Sequence, residues 1–510
     1  MRFSNSTLSG LLANWAGKFW GAFLSIAVIP VYLRELGADG FGLVGFYSSL
    51  LIVFTVFDFG LSATINRALA YDSAQIETNC KERHSLGIIL RTLESAYFFI
   101  AIFAGSALFL SSEFLGRHWL NTSSISIDEM ITCIQLMSIA LIGQFFIGFY
   151  SGALTGLQRQ IELNIALIVI ATVRYLGAIL VILFYSNDLI VFFTWQALSS
   201  IIGSSALYLL AWNCVSCKKI KPKISFEVLK NNLKFSFGMT LISIVSIGIL
   251  QIDRLVVSKI STLENLGYYS LAGSVAGALL YLSQPVFSVF SAKFTEAVAV
   301  NNQSELASLY HKSSQLLVIL IAPACMVIFS YSSELLLLWT GDQSVSSSAG
   351  PILQWLILVS AIGGLMSIPF AIQLAHAWTS FALFSNILML IFLTPSVLYV
   401  GKFYSPDKVA LTLAIFLILQ SVINIIYMHS KILRSEFFVW LVVDVGLPVI
   451  VTFLFFLAFR FCVSNFISLD LAQAIFVIAF FTQIVVILSS LFAKYCYSFF
   501  YKKIHIRLLK

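Results

Sequence analysis

Four basic side chains, Lys18, Arg91, Arg174 and Arg254, lie in stretches otherwise apolar enough to cross a lipid bilayer. A charge held at bilayer depth costs about 2.5–3.5 kcal/mol on insertion scales, so it faces a wet cavity or a partner. Cations gathered inside a membrane suit an anionic passenger, and the forked donors of a guanidinium such as Arg174 match the oxygens of a diphosphate. Arg174 has no acidic residue within one helical turn, whereas Arg91 and Glu94 stand three apart and can neutralise each other. Asn14 shares a stripe of small and polar residues with Lys18, Gly10, Gly21 and Ser25. Gln251 and Arg254 continue an equivalent stripe from Ser236, Thr240 and Ser243. The candidate substrate contacts are therefore Lys18, Arg174, Arg254, Arg91, Asn14 and Gln251. Asp58 and Asp253 are candidates for relaying an ion, and Asp444 is a further intramembrane acid. Close helix packing is the competing reading for the Gly and Ser positions, and structural hydrogen bonding for the acids.

The elements that must position these groups are membrane helices. Of 510 residues, 59% are hydrophobic and 10% charged, and the mean hydropathy is +0.96. A soluble domain carries about 25% charged residues, so little of this chain is free to form one. Apolar runs of about 20 residues, each able to cross a ~30 Å hydrocarbon core, tile the sequence. The spans expected are roughly 8–33, 41–69, 86–110, 130–154, 161–185, 189–212, 233–260, 268–298, 314–339, 351–375, 380–400, 408–428, 437–463 and 470–496. That is an all-α polytopic protein of about fourteen helices. The N-terminal stretch enters the first span with no small-residue cleavage site, which reads as a retained helix.

An even number of spans puts both termini on one side. Loops on that side carry Lys81, Arg83, Arg159, Lys293, Lys312, Lys431 and Arg434, the run from Lys218 to Lys234, and a basic tail ending in Lys510. The opposite loops offer Arg34, Arg117, Lys259, Lys402, Lys408 and Arg460. The excess of positive charge makes both termini cytoplasmic. The basic connection also suits anionic lipid headgroups rather than nucleic acid. It divides the chain into an N-terminal six-helix bundle (1–212), a linker (213–232), a C-terminal six-helix bundle (233–430) and an appended helix pair with a tail (431–510). The halves echo each other: IPVYLRELGADGFGLVGFYSSL and LVVSKISTLENLGYYSLAGSV both carry a helix into a short Leu/Gly exit and an aromatic-small helix. Such parallel repeats place a substrate between halves near the midplane.

Pro285, Pro323, Pro369, Pro395 and Pro448 interrupt helices of the second half, which suits bending. Tyr150, Tyr175 and Tyr281 are aromatic rings that could stack on sugars. No GxxxxGK[ST], HExxH or GxSxG occurs, which argues against an ATP-driven pump or a hydrolase. Seven cysteines form no disulfide-like framework. The CxxC at Cys214 and Cys217 lacks a second ligand pair at zinc spacing, so no metal is expected. Asp58-Phe59-Gly60 spells a kinase motif without the loops that would give it meaning.

The segment Gln251-x-Asp253-Arg254 followed by LENLGYYSLAG resembles the Wzx-type flippases of the multidrug/oligosaccharidyl-lipid/polysaccharide (MOP) exporter superfamily. So do IPVYLRELGADGFGLVGF, DFGLSATINRALA, SGALTGLQRQIELN and LLLLWTG, together spanning about residues 8–430. The resemblance implies two six-helix bundles in a V-shaped, MATE-like arrangement, in the bacterial inner membrane. It implies a transporter, not an enzyme, that moves an undecaprenyl-diphosphate-linked oligosaccharide from the cytoplasmic to the periplasmic leaflet by alternating access. Lys18, Arg174 and Arg254 would then be cavity cations. No cofactor is expected; an H⁺ or Na⁺ gradient would supply energy. The partners would be the lipid-linked glycan, membrane lipids, a polysaccharide polymerase and a chain-length regulator, with no nucleic acid. The two extra helices depart from a twelve-helix member and are shared with lipid II flippases, so that substrate stays open. A cationic-drug antiporter would call for a more acidic interior. A membrane-bound O-antigen polymerase should show a large periplasmic loop, and the longest here is about Ser111–Glu129.

Overall fold

The computed structural model describes residues 17, 19–75, 80–122, 124–215, 244–376, 378–466, 473 and 484. These are helical almost throughout. Eleven helical segments among them are long and apolar enough to cross a membrane. They correspond to the second to sixth and eighth to thirteenth expected helices. The expected first, seventh and fourteenth helices lie partly or wholly outside the described residues. The chain divides into two compact units, Met1–Gly267 and Tyr268–Lys510; the expected linker, 213–232, lies mostly outside the described residues.

In the first unit the helices are α1 (Ile29–Phe54), α2 (Leu61–Gln75), α3 (Cys80–Leu110), α4 (Ile127–Gly156), α5 (Gln160–Phe184), α6 (Leu189–Val215) and α7 (244–260). A helical stretch over 19–27 precedes α1. Within α1, Gly37 adopts φ 73°, ψ 174°, so two helices meet there at the exit loop read from the sequence. α4 is the hub, packing against α2, α3 and α6. Its Gly152 and Gly156 form a GxxxG face: Cβ atoms there would stand 2.5 Å from the Ser62 and Asn66 carbonyl oxygens of α2. Small residues at this spacing let two backbones approach closely where lipid gives no hydrophobic drive. A buried apolar cluster including Ile65, Leu90, Leu93, Phe149 and Leu207 fills the space between these helices.

The expected continuous span 41–69 is broken. A 3-10 turn, Thr55–Asp58, is followed by Phe59 (φ 46°) and Gly60 (φ 68°), both left-handed, and α2 begins anew at Leu61. Asp58 makes the restart possible. Its carboxylate accepts hydrogen bonds from the Ser62 backbone N–H (3.2 Å) and hydroxyl (2.6 Å), satisfying groups that a helix start leaves open.

The second unit contains α8 (Leu263–Ala278, most of it), α9 (Leu280–Ala299), α10 (Gln303–Ser330), α11 (Ser332–Thr340), α12 (Gln343–Ala375), α13 (Thr379–Phe403), α14 (Pro406–Lys431) and α15 (Leu447–Phe466). The expected spans 268–298 and 314–339 are each interrupted, at Leu279 and at Tyr331. α12 is the hub, packing against α9, α10, α11 and α14. It is the fourth helix of the expected second half, as α4 is of the first. α14 leads through a turn (Phe437–Val439) and a π-helical segment (Trp440–Gly446) into α15, and this thirteenth helix packs on α10.

Candidate functional site

In the first unit, α5 carries Arg174 between α6 and the two halves of α1. The guanidinium Nε donates to Gln196 Oε1 at 2.8 Å. Its carbon lies 5.7 Å from the centroid of the Tyr47 ring and 5.5 Å from that of Tyr175. Tyr32 donates its hydroxyl to the Tyr175 carbonyl (3.1 Å), and its ring meets Phe192 edge-on at 5.1 Å. Tyr47 packs likewise on Phe193 at 5.8 Å. The wall is therefore aromatic and rigid, with tyrosines and a glutamine presenting the polar atoms.

Among the described residues, no carboxylate pairs with Arg174, and Gln196 is its only hydrogen-bond acceptor. Cation–π contacts contribute about 0.5–2 kcal/mol each and discharge nothing. The cluster thus retains a full positive charge and open Nη donors. Among the described residues, the buried Tyr47 hydroxyl makes no hydrogen bond of normal geometry, with the Ser200 hydroxyl its neighbour. Ser200 beside it is engaged by Gln144 (2.9 Å) and by the Gln196 carbonyl (2.7 Å). The composition suits an oxyanion in chemical terms: the fork offers charge and direction, the tyrosine a neutral donor.

The other candidates fall elsewhere. Lys18 and Asn14 lie outside the described residues. Neighbouring Gly17 is so near Asn164 of α5 that a Cβ would stand 2.7 Å from its Oδ1. Arg254 is half-buried on α7, and Gln251, one turn away, is buried with its Oε1 unpartnered among the described residues. Asp253 is buried on the same helix. Among the described residues, the hydrogen-bond and ring contacts of Arg174 come from α1, α5 and α6. Arg91 pairs with Glu94 at 3.0 Å. Asp58 is the helix-start cap described above. Tyr150, read as a sugar platform, is buried and donates to Glu94 at 2.6 Å.

Sequence reasoning missed a second polar cluster, in the second unit. His311 of α10 points Nδ1 at Asp444 of the π-helical segment and Nε2 at Glu436, 3.0 Å away. Gln315 donates to the other Asp444 oxygen at 2.8 Å, and Trp440 donates to Ser314 at 3.0 Å. An imidazole facing two carboxylates makes both hydrogen bonds only with both nitrogens protonated, so the ring is an imidazolium clamp. The hydrogen bond from His311 also holds the Glu436 carboxyl below the usual carboxylate range. The polar run His311–Gln315, opening a long apolar helix, was the signal that could have revealed it. No group of three or more His, Cys, Asp or Glu among the described residues is arranged to hold a metal ion.

Eleven helical segments long and apolar enough to cross a membrane, in two compact units, make this a polytopic membrane-type protein. A family model described as polysaccharide biosynthesis protein matches residues 8–294, and the chain belongs to that family. A Shigella flexneri protein named "Putative O-antigen transporter" is 21% identical over 373 residues, covering 72% of this chain and 84% of that one. Among solved structures, the inward-facing form of a multidrug resistance MATE family transporter of the MOP superfamily aligns with a TM-score of 0.69 and 11% identity, covering 81% of this chain and 95% of its own. The lipid II flippase MurJ, in an inward closed conformation, aligns at 0.68 and 13% identity, over 98% and 99% of the two chains. The fold is that of the MOP superfamily.

Proposed function

We propose that this chain is a flippase for an undecaprenyl-diphosphate-linked oligosaccharide, an O-antigen or related repeat unit, moved from the cytoplasmic to the periplasmic leaflet by alternating access. The observation that carries the reading is Arg174, a guanidinium inside a membrane span with no carboxylate partner among the described residues. An anion must offset it for part of the cycle, and a diphosphate between a lipid tail and a glycan presents that anion at membrane depth. Membership of a polysaccharide biosynthesis family supports a glycan carrier as that anion. The protein acts in the bacterial inner membrane with both termini cytoplasmic, draws on an H⁺ or Na⁺ gradient, and hands its product to a polymerase under a chain-length regulator. Lys18 and Arg254 add charge to the path.

The test is a deletion strain of the source bacterium. Loss of all surface polymer, with single lipid-linked units retained facing the cytoplasm, supports the flippase. An unchanged polysaccharide ladder defeats it. Arg174→Ala, inserted normally, should behave as the deletion does. A second reading, a lipid II-type precursor flippase, is favoured by the near-complete coverage of MurJ; it predicts growth arrest with accumulated peptidoglycan precursor instead.

A further inference from the structure

Away from Arg174, a groove of about 550 Å³ opens on the first unit between α3, α4 and α6. One part is polar: Arg91 and Glu94, with Tyr150 beside them. The other is aromatic, with Phe98, Phe99 and Phe146. Phe98 and Phe99 are 51% and 73% exposed, so the aromatic part belongs to the lipid-facing belt.

The electrostatics are lopsided. Glu94 is buried and satisfied: Arg91 Nη1 reaches one oxygen at 3.0 Å, while Tyr150 (2.6 Å) and Trp212 (3.2 Å) donate to the other. Two neutral donors thus do much of the work of stabilising the carboxylate. Arg91, by contrast, is half exposed and makes no other hydrogen bond among the described residues, so its Nε and Nη2 donors face the groove. Arg91 stands five residues, or about 7.5 Å, into the span that begins at Leu86, a depth from which a long side chain reaches the phosphate layer. In sequence, Lys81 and Arg83 precede Arg91 and Lys218 and Lys219 follow α6, so the stretches flanking both helices are rich in Lys and Arg.

We infer that this groove is a binding site for one anionic glycerophospholipid, its phosphate on the free donors of Arg91 and an acyl chain along Phe98, Phe99 and Phe146. The inference goes beyond the transport reading, since none of these residues contacts Arg174. A phosphate supplies the oxygens that Arg91 lacks, and the aromatic wall gives the chain a seat that bulk lipid does not. A negative headgroup is favoured over a zwitterionic one because the flanking sequence is basic and a zwitterion brings its own cation to a site whose free donors are already cationic.

The test uses the purified full-length chain in nanodiscs containing equal phosphatidylglycerol and phosphatidylcholine, released and weighed by native mass spectrometry. The wild type should retain one phosphatidylglycerol per chain in clear excess over phosphatidylcholine. Arg91→Gln should weaken that retention about tenfold, the loss expected for a charged hydrogen bond. Ser204→Phe fills the groove without touching the Glu94 network and should lose the lipid as well. Arg159→Gln, on another loop, serves as the control that keeps it. Retention at the wild-type level in either groove variant, or equal retention of the two lipids by the wild type, overturns the site. The readout is lipid mass, so a failed flippase assay leaves it untouched.

Discussion

Gly42 and Leu263 meet backbone to backbone: a Cβ at position 42 would lie 1.9 Å from the Leu263 carbonyl oxygen and 2.7 Å from its carbon. The contact joins α1, just past the Gly37 bend, to the start of α8. Nearby, Trp119 donates to Ser258 (3.1 Å), and Leu263 donates its N–H to the Asn121 carbonyl (2.7 Å). The obstacle is main chain, so neither side can rotate away. Gly42→Ala should therefore destabilise the protein by about 1–3 kcal/mol, the usual range for overpacking. Thermal unfolding in detergent would show it; an unchanged melting temperature would mean that the two helices are not held at this distance.

At Arg174, charge and geometry can be separated. Arg174→Lys keeps the cation but loses the fork, and should leave transport well below wild type. Gln196→Leu keeps the whole guanidinium but removes its hydrogen-bond acceptor on α6, leaving the Tyr47 and Tyr175 rings to orient it. Quantifying periplasm-facing lipid-linked units in both variants distinguishes positioning from charge; full activity in Arg174→Lys would show that charge alone suffices.

Glu94 is a buried carboxylate with three donors. Tyr150→Phe deletes the shortest of its bonds and should cost about 1.5–3 kcal/mol, as hydrogen bonds to charged groups do. Glu94→Leu in the same background should recover part of the loss, because no buried charge is then left under-solvated. If the double variant melts lower than Tyr150→Phe alone, the carboxylate has another role.

His311→Leu leaves Asp444 buried without its cation and should destabilise by about 3–5 kcal/mol. His311→Leu with Asp444→Leu removes both charges and should be more stable than the single variant. Additive losses in thermal melts would show that the pair does not interact.

Glu436 lies outside the spans, and its carboxyl is held below the usual range by the His311 hydrogen bond. A depressed native pKa contributes stability that is present above the unfolded value, near 4.3, and lost as pH falls through the native one. The melting-temperature gap between wild type and Glu436→Gln should be full at neutral pH and shrink as pH drops below the ordinary glutamate value. A gap independent of pH would place the stabilisation elsewhere.

The membrane helices were legible because twenty apolar residues leave the backbone few alternatives. Gly37 at the first exit was legible for the same reason, as a polar Leu/Gly loop between two such runs. The break at Phe59–Gly60 was not: hydropathy runs through it unchanged, and only the left-handed φ values of two consecutive residues reveal it. Asp58, a candidate ion relay from sequence, also caps the start of α2, a role that hydropathy does not reveal. Arg174 could be singled out from its isolation on α5, but Tyr47 reaches it from α1, far earlier in the chain, and no local pattern shows that contact. Asp444 was noticed as an acid in a span; its partner His311 is 133 residues away, and no local pattern links them.

The clamp at His311 bears on how the thirteenth helix could be gained or lost. A shortened chain ending after α14 would not revert to a simpler twelve-helix protein. His311, Ser314 and Gln315 would face lipid with their polar atoms unmet, a penalty that hydrocarbon does not relieve. Removal of the helix would have to be accompanied by apolar replacements on α10, and its acquisition by the polar ones. The extra segment and the face it covers are therefore physically interdependent, and homologues should carry both or neither.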